Sequence, residues 1–310
     1  MKLVFMGTPA FAVPALEALY DSPHEVLAAV TAPDRPRGRG RKTAPSEIKK
    51  KAMEFGIPVL QPRDLRDPDF ISTLKDYDAD VYVVIAFRIL PPEVYTIPPF
   101  GALNAHASLL PKYRGAAPVH WAIYHGEKET GITVFQIERK VDTGKIILQT
   151  PTAIGAEETS GELYERLREL AAGALLEALR KLEAGDAGFR PQDPAKATPA
   201  PKVHPGTGKL DFRQSGEQLC RAVRAFTPRP GAFFYLDGSR IKVLRAGFLR
   251  ADDTRPGKIV ILSKKQFAIH CKDGYFLPHR LQSPGRRPME VSDWMNGADL
   301  VKLQNGKVES

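Results

Sequence analysis

The run Val81-Tyr82-Val83-Val84-Ile85-Ala86-Phe87, followed by the shorter pattern Ala102-Leu103-Asn104-Ala105-His106, decides the fold. Val81–Phe87 is apolar at every position rather than at alternate ones, which a strand needs only when both of its faces are covered. It therefore reads as a central strand of a parallel sheet. Upstream, Lys2–Met6 is a short β-branched and aromatic strand ending at Gly7, with Thr8 as helix cap and Pro9 at the first position of a helix through Tyr20. Val26–Thr31 is a second strand. After a loop over Pro33–Pro45, Ser46 caps a helix over Glu47–Phe55 that stops at Gly56. A strand at Ile57–Leu60 and a helix at Asp69–Tyr77 lead back to the central run. Downstream come a helix over Ala117–Tyr124, strands at Ile132–Ile137 and Lys145–Gln149, and a long amphipathic helix over Gly161–Glu183. Alternating β and α of this kind predicts an α/β fold: a doubly wound, mostly parallel, Rossmann-like sheet with helices on both faces.

Composition changes after that helix. Residues 185–208 hold Pro191, Pro194, Pro199, Pro201 and Pro205 with little apolar periodicity, a semi-stiff linker. Beyond it lie one helix, Gly216–Ala225, and five short strands: Ala232–Leu236, Arg240–Leu244, Lys258–Ile261, Phe267–His270 and Gly274–Leu277. Asp237-Gly238 and Asp273-Gly274 suit tight hairpins, so a small OB-like β-barrel is expected. The expected organisation is thus a catalytic domain over 1–184, a linker over 185–208 and a barrel domain over 209–310.

At 310 residues, two domains are the natural expectation. Apolar residues at 43% and charged ones at 26% exclude wholesale disorder, and no apolar run is long enough to span a bilayer. The N-terminus lacks the longer apolar region of a signal peptide, so a cytoplasmic protein without membrane association is expected. Cys220 and Cys271 show no metal spacing, and as a pair they read as buried small hydrophobes. The net charge of +9 is unevenly spread: residues 1–200 carry 25 Lys+Arg against 26 Asp+Glu, whereas residues 201–310 carry 20 against 10. One basic cluster sits inside the neutral part, at Arg35, Arg37, Arg39, Arg41 and Lys42. Basicity gathered on one domain and one loop suits a polyanion, nucleic acid foremost, although a basic run alone is more often a solvated face.

Asn104 and His106 stand two apart at the end of a strand, so their side chains share a face where open α/β sheets collect ligands. An amide beside an imidazole suits the oxyanion formed when a nucleophile attacks a carbonyl. A lone histidine is more often a satisfied core or surface residue; the adjacent Asn and the Pro/Gly-rich segment after it favour function. Asp142, in a loop between two strands, is the candidate partner that orients the imidazole. Ser108 lacks a Gly-x-Ser-x-Gly elbow, and no metal-ligand spacing occurs. The Gly7-Thr8-Pro9 turn has one glycine where a dinucleotide fingerprint needs three. A tight strand-to-helix turn is as good a reading there as an anion site.

Asn104…His106 with Ser108-Leu109-Leu110-Pro111 and Asp142-Thr143-Gly144 resembles the signature of the 10-formyltetrahydrofolate-dependent formyltransferases. Phe5–Ala12, Pro33–Lys42, Tyr113–Pro118, Glu129–Thr133 and Arg224–Ala232 are similar to the branch that formylates the methionine of initiator tRNA. The resemblance implies a catalytic set of Asn104, His106 and Asp142. It implies folate contacts from Ser108, Leu109, Leu110 and Pro111, with Phe87, Ile89, Leu90 and Val141 walling the pterin, although a plain core role fits each of these walls singly. Contacts to tRNA are implied from Arg35, Arg37, Arg39, Arg41 and Lys42, and from Arg221 and Arg224 in the second domain, with Lys242 and Lys264 as further candidates. The expected substrates are 10-formyltetrahydrofolate and initiator methionyl-tRNA, with no metal and a monomeric chain. One departure is Ala86-Phe87-Arg88-Ile89-Leu90-Pro91, a residue shorter than the family's loop, with Arg88 near a usual glycine. A second is Pro199, where the linker usually has Tyr.

Overall fold

The computed structural model describes residues 1–37, 42–252 and 255–309 and divides them into two units. The first comprises Met1–Pro118, Glu129–Ala153 and Tyr164–Ala200. Its sheet has seven strands: β1 (Lys2–Gly7), β2 (Glu25–Val30), β5 (Val59–Leu60), β6 (Val81–Ile85), β7 (Ala102–His106), β8 (Glu129–Gln136) and β9 (Ile146–Ala153). Two short strands, β3 (Arg35–Arg37) and β4 (Lys42–Ala44), pair separately with each other. The sheet order is β5-β2-β1-β6-β7-β8-β9. Pairing is parallel from β5 to β7, and β8 and β9 complete the sheet antiparallel. The chain winds outward from β1 to β5, then restarts at β6 on the other side of β1. The strand order therefore reverses between β1 and β6, and their carboxyl ends open a crevice.

The physical reason for this arrangement is the one read from the sequence. All five residues of β6 are buried, and Tyr82 and Val84 pack with Val4, Met6 and Val30 in one core cluster. Each such side chain contributes roughly 1.5–3 kcal/mol on burial. Strand β6 stops at Ile85, short of Phe87, because Ala86 turns to φ +48°. Strand β9 runs to Ala153 through Pro151, which an edge strand tolerates because its missing N–H faces no partner.

Local details correct three expectations. Thr8 caps nothing: a 3₁₀ turn over Ala10–Ala12 follows Pro9 and leads into α1 (Val13–Tyr20), and the Thr8 hydroxyl accepts from Ala32 N at 3.4 Å. The segment Pro33–Pro45 is not a plain loop, since β3 and β4 lie inside it. Within the stretch 185–208 read as a semi-stiff linker, residues 190–200 are tied to other segments. Arg190 bridges to Ile146 and Pro199 to Arg114, and both bridges lie within the first unit. By contrast, α2 (Glu47–Glu54) has the predicted cap, with the Ser46 hydroxyl accepting from Lys49 N at 3.0 Å.

The second unit comprises Val119–Lys128, Ile154–Leu163 and Pro201–Ser310. Its antiparallel sheet has the order β12-β13-β14-β11-β10-β16, with β15 added on β14, the OB-like half-barrel expected. The strands are β10 (Ala232–Leu236), β11 (Ser239–Arg250), β12 (Ile259–Ser263), β13 (Gln266–Cys271), β14 (Gly274–Gln282), β15 (Met289–Glu290) and β16 (Val308–Glu309). Asp237 and Gly238 both take positive φ, which is what the β10–β11 hairpin needs. Phe212 packs edge-on against Phe234 and Phe276, with centroids 5.9 and 5.6 Å away.

Burial pushes the Cys220 thiol up to about 11 and also raises Cys271, which has no exposed surface. At pH 8 only about one Cys220 in a thousand is thiolate, the nucleophilic form. Neither cysteine is therefore expected to react with iodoacetamide at pH 8 within an hour, and both are expected to react after denaturation. Rapid labelling of the folded chain would contradict this burial.

Candidate active site

Strand β7 delivers two polar side chains to the carboxyl end of the sheet. Asn104 pairs in register with Val84 on β6 and Phe135 on β8, and His106 lies opposite Thr133. The Asn104 side chain is half-buried and has no hydrogen-bond partner among the described residues, so its amide is open to a ligand. His106 is buried, and its ring is oriented by the Tyr113 carbonyl, 2.8 Å from Nε2. A carbonyl can only accept, so Nε2 carries a proton. Chemistry at this ring is left to Nδ1, which lies 3.8 Å from Asp142 Oδ2. A proton on Nδ1 makes the ring a cation beside a carboxylate.

Asp142 occupies the turn between β8 and β9 at φ +54°, a conformation uncommon outside glycine. Its Oδ2 accepts from Gly115 N at 2.8 Å. The segment after His106 is held from several sides. The Ser108 hydroxyl is buried and donates to Lys112 O at 2.7 Å. Thr133 donates to Ser108 O at 2.6 Å and accepts from Leu110 N at 3.0 Å, and Gln149 donates to Leu110 O at 2.8 Å. Tyr113 N donates to the Thr198 hydroxyl at 2.9 Å.

The other predicted folate residues divide by exposure. Leu90 belongs to the main core cluster and Leu110 packs with Phe135 and Ile146, whereas Leu109, Pro111 and Phe87 are half-buried. Ile89 and Val141 are 75% and 50% exposed, which leaves apolar surface for a flat ring system. Ile89 and Leu90 also line a groove of about 520 Å³ bounded by Arg63, Arg66, Arg88 and Arg139. Arg88, at the departed position, donates to the carbonyls of Pro62 and Arg63 at 2.9 and 3.0 Å. Burial and the charge of Arg35 lower its pKa.

The predicted tRNA residues are placed differently from one another. Arg35 is exposed at the base of the β3–β4 hairpin, while Arg39 and Arg41 lie outside the described residues. Next to Arg35, Asp34 is anchored by Lys49 at 2.7 Å and Gln61 at 2.8 Å, and these two contacts hold its carboxyl below the usual range. Arg37 and Lys42 contribute backbone to the hairpin. In the second unit, Arg221 pairs with Glu217 at 3.2 Å and donates to Gln218 at 3.0 Å, and Arg224 donates to Glu158 O at 3.3 Å. Lys264 is exposed and Lys242 half-buried. Among the described residues, no helix is long and apolar enough to cross a membrane, and no group of three or more His, Cys, Asp or Glu is placed to hold a metal.

Sequence reading did not single out Arg114, Thr133, Gln149, Gln192 or Thr198 for this site. All of them reach it through contacts between distant segments. The local signs were Arg114, inside the quoted Tyr113–Pro118 motif, and Thr133, at the end of the quoted Glu129–Thr133 motif.

The family model described as formyl transferase matches residues 1–179, and that for the formyl transferase C-terminal domain matches residues 202–299. A methionyl-tRNA formyltransferase of Coxiella burnetii is 43% identical over 309 residues, covering 99% of this chain and 98% of that protein. One of Lachnospira eligens is 39% identical over 307 residues, covering 97% and 98%. Among solved structures, WlaRD, a sugar 3N-formyl transferase, superposes with a TM-score of 0.67 at 18% identity, covering 93% of this chain and 99% of that one. HypX from Aquifex aeolicus, in complex with tetrahydrofolic acid, gives a TM-score of 0.59 at 18% identity, covering 95% of this chain and 47% of its own. These two share the fold. With both halves matched and relatives at about 40% identity along nearly its whole length, the chain belongs to the methionyl-tRNA formyltransferase family.

Proposed function

We propose that the chain transfers the formyl group of 10-formyltetrahydrofolate to the α-amino group of initiator methionyl-tRNA. The observation that carries this reading is the convergence of an unpartnered Asn104 amide with His106, whose Nδ1 lies 3.8 Å from Asp142 Oδ2. An α-amino group has an ordinary pKa of about 7.7–8.0, so near neutral pH enough of it is uncharged to attack without strong activation. The amine nitrogen bonds to the formyl carbon, negative charge grows on the formyl oxygen, and the bond from that carbon to N10 breaks. The amine loses one proton and N10 gains one. Asn104 and His106 stabilise the oxyanion as donors, and Asp142 holds the charge of the imidazole and takes part in proton movement.

The exposed faces of Ile89 and Val141 suit the pterin, and the arginine-lined groove suits the carboxylate end of the donor. Ser108, Leu109, Leu110 and Pro111 shape the backbone of this wall, and Phe87, Leu90 and Leu110 support it from within. The basic segment Arg35–Lys42, including Arg37, Arg39, Arg41 and Lys42, meets the acceptor end of the tRNA. Residues 209–310 carry the charge excess that attracts the tRNA backbone, with catalysis assigned to residues 1–184. Arg221 and Arg224 belong to that basic surface. The chain acts as a monomer in the cytoplasm.

A formyltransferase for a small amine, or a hydrolase of the donor, would need the same Asn/His/Asp set but neither the basic segment nor a second domain with 19 Lys+Arg against 10 Asp+Glu over residues 209–310. The deciding experiment is transfer of labelled formyl from 10-formyltetrahydrofolate to initiator methionyl-tRNA, with the elongator species as control. Free formate without formyl-methionyl-tRNA would overturn the reading. Arg41→Ala is expected to raise KM for tRNA by about tenfold, the loss of one desolvated charge contact, and to leave donor binding unchanged. Equal losses for both substrates would remove that segment from tRNA recognition.

A further inference from the structure

Gln192 sits among prolines after the long helix, yet its amide is fully used. Its Nε2 donates to Asp142 O at 3.0 Å and to Gly144 O at 2.9 Å. Its Oε1 accepts from Arg114 Nε at 3.1 Å and Nη2 at 2.6 Å. A primary amide offers two N–H donors and two acceptor lone pairs, and all four are engaged. The neighbours of Arg114 hold the other half of the site. Tyr113 O faces His106 Nε2 at 2.8 Å, and Gly115 N donates to Asp142 Oδ2 at 2.8 Å. Residues 113–115 therefore touch the imidazole and the carboxylate through main chain, while the Arg114 side chain reaches the Asp142 turn through Gln192.

That turn needs holding. Asp142 has φ +54°, a shape that persists in a non-glycine residue only where the surroundings over-determine it. The two carbonyls bound by Gln192 flank Thr143, so they fix the turn on both sides of its tip. We infer that Gln192, oriented by Arg114, is a positioning residue that keeps the Asp142 carboxylate facing His106 Nδ1 and thereby sets the rate of formyl transfer without touching either substrate. This rests on the roles proposed above for His106 and Asp142. It gives a stretch that reads from sequence as a linker a part in holding the site.

Gln192→Glu tests it, because that side chain keeps its shape and its acceptor toward Arg114 but loses both donations to the turn. The expected result is a kcat lower by about 10–100-fold, the scale of a displacement near 1 Å, with KM for donor and tRNA within threefold. Gln192→Met, which removes all four bonds without changing length, is expected to do the same. The melting temperature of each variant is recorded, so that a general loss of fold is seen as such. The decisive measurement is Gln192→Glu on an Asp142→Asn background. If Gln192 acts through the carboxylate, the second change lowers kcat by less than twofold further, and Arg114→Lys retains more activity than Arg114→Ala. Native kcat in Gln192→Glu, or an equal loss on both backgrounds, overturns the inference. Native kcat in Asp142→Asn overturns the reading beneath it, and that result is distinguishable because it appears with Gln192 intact.

Discussion

Replacing His106 by alanine is expected to lower kcat about 10²–10³-fold while the donor KM stays within a few-fold. The size follows from what the ring is placed to do. Its Nε2 is committed to the Tyr113 carbonyl at 2.8 Å, and its Nδ1 faces the Asp142 carboxylate at 3.8 Å. In the proposed reaction a proton on Nδ1 is the donor to the formyl oxygen as it gains charge, and losing such a donor costs roughly 2.7–4 kcal/mol in the barrier. A second, separable effect is structural. The variant loses the hydrogen bond from His106 Nε2 to Tyr113 O, and one such bond contributes roughly 0.5–1.5 kcal/mol to stability. The two are told apart by measuring single-turnover transfer at a temperature well below the melting point of the variant. A loss of less than tenfold there would mean that His106 is a structural residue and that Asn104 carries the oxyanion alone.

What could be read in the sequence, and what could not, follows from the range of the interactions. Strand β6 was legible because burial of both faces leaves an unbroken apolar run, a strictly local mark. Asn104 and His106 were legible because a two-residue spacing at a strand end fixes a common face. Asp142 was weaker, since Asp-Thr-Gly is common in turns, and it gained meaning only beside the other two. Gln192 and Thr198 left no local mark. They meet the site across 50 and 85 residues of chain, and a proline-rich composition describes equally a free linker and one pinned by side-chain bonds. Strand β11 was expected to end at Leu244 but continues to Arg250, because register shifts around Arg245 break the alternation that marks a strand. Charge had a similar limit. A count of arginines cannot separate Arg221 and Arg224, whose guanidinia have partners in their own unit, from an exposed residue such as Lys264.

Gly144→Ala is expected to be nearly as damaging as the loss of His106, by an unrelated route. Gly144 closes the Asp142 turn against the end of β8, and a Cβ added there would run into the carbonyl oxygen of Gln136 and lie 3.3 Å from the Phe135 ring. Main chain cannot move aside as a flexible side chain can, because Gln136 N is itself bonded to Lys145 O at 2.9 Å. Either the turn lifts or β8 bends, and overpacking of this kind costs roughly 1–3 kcal/mol. Lifting the turn would also break the bond from Gln192 to Gly144 O and pull Asp142 away from His106. The expected outcome is a kcat about 100-fold lower, with a melting temperature reduced by several degrees. The control is Gly173→Ala on the long helix Ser160–Glu183, where an added Cβ meets nothing within 4 Å and the substitution should stabilise or be neutral. If Gly144→Ala kept native turnover, the Asp142 turn would have slack that the geometry denies, and a carboxylate held there could not be what tunes the imidazole.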